Sequence, residues 1–159
     1  MCFQLYAGTQ KPIPRVPWNK DAPDLSVEDL REDVRESELS ILAYFSAPHV
    51  QFIGSTCGCG CDFPSITEHR GEWPWWEGLE PEPEQQVVEQ QNRERLAGLL
   101  RSTGEEWIEL YGIWMGNSEI RPPAIREEIE LDRMTDPTFR FKENGFLRVH
   151  IPTVGHSAS

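Results

Sequence analysis

Apolar residues alternate with polar ones from the first residues of the chain. Phe3 and Leu5 fall on one side of an extended segment Cys2–Ala7, with Cys2, Gln4 and Tyr6 on the other. Pro12, Pro14 and Pro17 then predict an extended, turn-rich connection, because proline fixes φ and removes an amide donor. Leu25–Leu30 alternates more weakly and fits an edge strand. Asp33 followed by Glu36 reads as a capped helix start, with Leu39, Leu42, Ala43 and Ser46 on one face and Pro48 as terminator. His49–Gly54 is a short apolar strand that runs straight into a cysteine-rich loop.

In the second half, Pro83 suits a first helical turn. Val88, Asn92, Leu96, Leu99 and Leu100 make a stripe that stops at Arg101 and Gly104. Trp107–Met115 is apolar on both faces and predicts a central strand covered on both sides. Ile125, Ile129 and Leu131 mark one more element, read as a strand. For the last apolar pairs, a three-residue loop Glu143-Asn144-Gly145 sets Phe141 opposite Leu147 and Phe139 opposite Val149, with Gly145 left-handed. The expectation is one α/β domain over residues 1–159, with two main helices and a mixed sheet of about five or six strands. Residues 67–86, rich in Trp, Pro and Glu, form a long loop within it.

Composition supports a folded chain. The 159 residues are enough to bury a core without staples, and 38% hydrophobic residues with 6 tryptophans speak against disorder. A net charge of −12 with no Lys/Arg cluster repels nucleic acid and anionic membranes, so neither is expected as a partner. No apolar run has the length of a bilayer span, and Met1–Tyr6 lacks the basic and apolar regions of a signal peptide. The expected compartment is the cytoplasm, where closely spaced cysteines serve more often as metal ligands or redox thiols than as structural disulfides. No Ser/His/Asp order, phosphate-binding glycine loop or dinucleotide fingerprint is present.

The sharpest chemical signal is Cys57-Gly58-Cys59-Gly60-Cys61. In an extended strand, side chains two apart are separated by about 6.6–7 Å. Sulfurs sharing one tetrahedral zinc approach to about 3.8 Å, given Zn–S near 2.3 Å. The segment must therefore curl, which the interleaved glycines permit, and the released amides can point at the sulfurs and favour thiolates. If Cys2–Ala7 and His49–Gly54 are antiparallel neighbours, Cys2 falls beside this loop and completes a four-cysteine set. A closed zinc site leads, an iron–sulfur cluster is the alternative metal centre, and a Cys59/Cys61 redox pair or a nucleophilic cysteine follows. Removal of Met1 would make Cys2 an N-terminal nucleophile with its own amine as base.

His49 and His69 flank the loop but fit hydrogen-bonded structural roles better than ligand roles. Trp73, Trp75 and Trp76 can cover the core, form a lid over the cysteines, or anchor a protein partner; a partner at Trp73–Trp76 is carried as one expectation, with structural zinc in that case.

Cys57-Gly58-Cys59-Gly60-Cys61-Asp62-Phe63 resembles the Cys-Gly-Cys-Gly-x-x-Phe signature of A-type iron–sulfur carriers, which also take a third cysteine from far upstream. In those proteins the motif closes the chain, whereas here nearly a hundred residues follow it. More of the chain is similar to a group of small uncharacterised bacterial proteins. The shared pattern is Met1-Cys2, Pro17-Trp18, Pro48-His49-Val50, Gly54-Ser55, Cys59-Gly60-Cys61 and Phe63, with Glu109-Leu110-Tyr111 and Trp114 later. That group lacks a counterpart of Cys57 and has glycine where Asp62 stands. The resemblance thus implies a core of Cys2, Cys59 and Cys61 with one coordination position open.

Overall fold

A computed structural model describes residues 2–30, 36–66, 81–115 and 122–153. The elements are β1 (Cys2–Thr9), β2 (Ser26–Asp29), α1 (Glu36–Ser40) continuing into a 3-10 turn at Ile41–Tyr44, β3 (His49–Gly54), β4 (Ser65–Ile66), α2 (Pro83–Ser102), β5 (Trp107–Met115), β6 (Ile125–Glu130), α3 (Leu131–Met134), β7 (Phe141–Lys142) and β8 (Gly145–His150). Six strands form one mixed sheet in the order β2-β3-β1-β5-β8-β6, and β4 and β7 form a small parallel pair. Among the described strands of the large sheet, β6 and β8 run parallel and the other neighbours antiparallel, β1 to both β3 and β5. The expected α/β class and the strands of the first half stand as read from the pattern. Among the described residues no helix is long and apolar enough to cross a membrane.

Both faces of the sheet are covered, which explains the two-sided apolar strands. On one face Phe3, Leu5, Val27, Ile53, Ile108, Leu110 and Val149 pack against Leu96, Ala97 and Leu100 of α2 and against Leu131 and Met134 of α3. On the other, Tyr6, Tyr111, Ile113 and Phe146 meet Ile41, with Tyr44 and Phe45 around them. Burying one such side chain contributes roughly 1.5–3 kcal/mol, so the core closes on apolar burial.

Two expectations need correction. The face Leu39, Leu42, Ala43, Ser46 does not enter the core: Leu39 is 36% and Leu42 43% exposed, while Ile41 is fully buried. The reason is a change of helix type. The chain tightens into a 3-10 turn at Ile41, and three-residue spacing turns Ile41 and Tyr44 inward instead. Asp33, the expected cap, lies outside the described residues.

The terminal hairpin does not form either. Phe141–Lys142 pairs in parallel with Ser65–Ile66, and both edges of β8 are already taken by β5 and β6. Asn144, at φ 55, is the left-handed residue, and Gly145 is not. Tertiary hydrogen bonds hold it there. Its N–H donates to the Gly112 carbonyl (2.8 Å), its Oδ1 accepts from the Tyr111 hydroxyl (3.0 Å), and its Nδ2 donates to the Pro122 carbonyl (3.1 Å).

Candidate metal centre

The cysteine loop begins where β3 leaves the sheet, and Ser55, fully buried, organises it. The Ser55 hydroxyl donates to the Cys59 carbonyl (2.7 Å), accepts from the Asp62 amide (3.3 Å) and lies 3.1 Å from Cys57 Sγ. The Ser55 amide donates to the same Cys59 carbonyl, and the Gly58 amide returns to the Ser55 carbonyl (2.9 Å). One small polar residue thus folds the five-residue run back on itself.

The two glycines have different tasks. Gly58 has φ +85, the left-handed turn that starts the curl. Trp18 lies over it, so close that a Cβ on Gly58 would sit 2.9 Å from the indole, and Trp18 Nε1 donates to the Thr56 carbonyl (3.0 Å). Gly60 instead permits a close approach: a Cβ there would lie 1.6 Å from the Phe3 carbonyl oxygen. The loop therefore presses on the β1 backbone one residue beyond Cys2. The expected antiparallel pairing of β1 with β3 places the Cys2 backbone beside the loop; its side chain lies outside what the structure describes. The site sits at the carboxyl end of β3, which is the amino end of β1 because the two run antiparallel.

The curl brings the sulfurs together. The Sγ atoms of Cys57, Cys59 and Cys61 all lie within 4.8 Å of one another, against the ~6.6–7 Å of an extended strand for neighbours two apart. The sulfurs of Cys57 and Cys59 lie 2.9 Å apart, and the Cys61 amide points at Cys59 Sγ (3.5 Å). Cys57 and Cys61 are exposed and Cys59 is half-buried. Three converging soft donors reachable from solvent can hold a metal ion.

A neck of hydrogen bonds, not anticipated from the sequence, ties the loop to α2. Asn92 is fully buried. Its Oδ1 accepts from the Thr56 amide (3.1 Å), and its Nδ2 donates to Thr56 Oγ1 (2.9 Å) and to the Val88 carbonyl (2.9 Å). Thr56 Oγ1 in turn donates to Asp62 Oδ2 (3.2 Å), so the residues just before Cys57 and just after Cys61 are joined. The available signal was a lone amide within the otherwise apolar stripe of α2, where a buried polar group must find partners.

His49 stands at the far end of β3 from the loop, five residues away or roughly 17 Å along the strand. His69 and the Trp73–Trp76 stretch lie outside the described residues. Compared with protein-family models, with curated proteins and with solved structures, the chain matched none.

Proposed function

We propose that this chain is a cytoplasmic transition-metal-binding protein in which Cys57, Cys59 and Cys61 ligate the ion as thiolates, Cys2 is the fourth ligand, and zinc is the metal. The observation that carries the proposal is the convergence of the three sulfurs within 4.8 Å. Thiolate donors select zinc, copper(I) or iron–sulfur centres over hard cations. In a zinc site with S···S near 3.8 Å, the Cys57–Cys59 separation would open from 2.9 Å, and the exposed Cys57 side chain leaves room for that change without moving the loop backbone. The contact of Gly60 with the Phe3 carbonyl supports Cys2 as the fourth donor. The resemblance to A-type carriers makes an iron–sulfur cluster the alternative cargo. The bacterial-group pattern favours Cys2, Cys59 and Cys61 as the essential core. A protein partner at Trp73–Trp76 rests on composition alone.

Elemental analysis and a visible spectrum of anaerobically purified protein test this. One zinc per chain, lost in Cys59→Ser, is the expected result; a brown, iron-containing protein transfers the proposal to the cluster. The second reading is a thiol redox pair. The pair expected from the sequence was Cys59 and Cys61, whereas the sulfurs that approach to 2.9 Å are those of Cys57 and Cys59; metal-free protein with a reversibly titratable disulfide would replace the metal reading with this one.

A further inference from the structure

We infer that the cysteine loop is folded before the ion arrives, with Asn92 as its positioning residue, and that the ion is exchangeable: a thiophilic divalent cation passed to and from small soluble thiols while the fold stands. This rests on the metal reading above and adds what kind of metal site it is.

The first observation is that hydrogen bonds from Ser55, Thr56 and Asn92 to backbone and oxygen atoms hold the loop's shape. Asn92 uses its carbonyl oxygen and both amide hydrogens at once, two of the three bonds going to Thr56 and the third to Val88. A fully buried amide satisfied in this way has a single usable orientation. Through the Thr56 hydroxyl the hold reaches Asp62, on the other side of the three cysteines. Ser55 then sets the interior of the loop through the Cys59 carbonyl and the Asp62 amide. In sites where zinc is structural, the ion supplies the folding free energy and the apo chain unfolds. Here the neighbouring core is closed by Phe3, Leu5, Ile53, Phe63 and Leu96, all buried and apolar.

The second observation is access. Cys57 and Cys61 are exposed, so an incoming thiol can reach the ion while it is still held by the remaining sulfurs. Exchange proceeds by substitution. An incoming thiolate forms a bond to the ion as one protein thiolate leaves, and the leaving sulfur takes up the proton that the incoming thiol released. No electrons move, and no oxidant is needed.

The test uses the full-length chain, zinc and cobalt(II) as probe ions, and a chromophoric chelator with or without a low-molecular-weight thiol. After chelation, the apo protein is expected to keep its far-UV dichroism and a cooperative melt. Asn92→Leu and Thr56→Val are expected to weaken zinc binding about 10–100-fold, the usual loss when a group orienting a ligand is removed. Cobalt(II) in both variants is expected to show a weakened thiolate charge-transfer band, which a merely structural role would not alter. Added thiol is expected to speed zinc transfer to the chelator. Thr56→Val retains the Thr56 amide bond to Asn92 and guards against a variant that only unfolds. The inference is overturned if chelation unfolds the wild-type chain, or if folded Thr56→Val keeps wild-type zinc affinity and cobalt spectrum. A wild-type chain that binds neither ion removes the metal reading itself, an outcome distinct from these two.

Discussion

The cysteine loop and the Glu143–Gly145 turn are both short, glycine-containing bends next to a strand, yet their left-handed residues were not equally readable. In the loop, Gly58 takes φ +85, as the alternation of glycine with cysteine demands. In the turn, Asn144 takes φ 55 although a glycine stands beside it. The first bend is determined by neighbours in sequence: Ser55, Thr56 and Asp62 close it within eight residues. The second is determined by Tyr111, Gly112 and Pro122, residues distant in sequence that Asn144 reaches from inside the core. Local turn chemistry predicts a conformation only when the competing partners are local as well.

The largest expected effect breaks the loop's contact with β1. Gly60→Ala sets a methyl 1.6 Å from the Phe3 carbonyl, a clash that only backbone movement relieves. Urea unfolding should show a loss of about 3 kcal/mol, and cobalt titration a loss of most metal affinity. A neutral Gly60→Ala would mean that the loop does not rest on β1, and Cys2 would then lose its place as the fourth ligand.

Next comes the turn. Asn144→Ala deletes two side-chain hydrogen bonds and leaves a Cβ-bearing residue without local support at φ 55. The expected cost is about 2–3 kcal/mol. Asn144→Gly recovers roughly 1 kcal/mol of it by removing the steric part alone. If the two variants unfold at the same urea concentration, the hydrogen bonds carry the whole effect and the backbone conformation none.

The same distinction separates what the sequence disclosed from what it withheld. β1, β3 and β5 were legible because each alternates or is apolar throughout, and burial in a sheet with period two leaves few other solutions. The convergence of the three cysteines was legible because glycine spacing and sulfur chemistry agree within five residues. The inward turn at Ile41 was not, since a change from 3.6 to 3.0 residues per turn carries no marker in Leu39–Ser46. The parallel pairing of Phe141 with Ser65 was not, since it joins segments 76 positions apart. Asn92 falls within the stripe of α2, but its partner Thr56 lies in the loop after β3, and periodicity has no means of pairing them.

A smaller effect is expected at Gly58. Alanine there must adopt φ +85, at about 1 kcal/mol. It also touches the Trp18 ring at 2.9 Å, but Trp18 is 40% exposed and can move away. Gly58→Ala should therefore fold and bind cobalt more weakly than wild type, yet clearly better than Gly60→Ala. The reverse order would show that the curl depends on the left-handed turn more than on the approach to β1.

The smallest effect concerns a third turn, which is local like the cysteine loop but exposed at Asp136–Thr138. After α3, Asp136 Oδ1 accepts from the Thr138 hydroxyl (2.6 Å) and the Thr138 amide (2.8 Å). These two bonds, chiefly the hydroxyl, hold the Asp136 carboxyl below its ordinary titration range, with Arg133 and Arg93 adding to the shift. A carboxyl that titrates lower when folded binds fewer protons than the unfolded chain between the two values, so stability rises with pH across that interval. The contribution is complete above the ordinary aspartate range and is lost as the pH falls through the lowered folded value. Asp136→Asn should therefore melt slightly below wild type at neutral pH, and the gap should close in acid, with both proteins metal-free to keep cysteine protonation out of the comparison. A gap of equal size at both pH values would assign the difference to turn geometry and not to the charge. Because water can replace both Thr138 donors, this turn should matter least, although it is as locally determined as the cysteine loop.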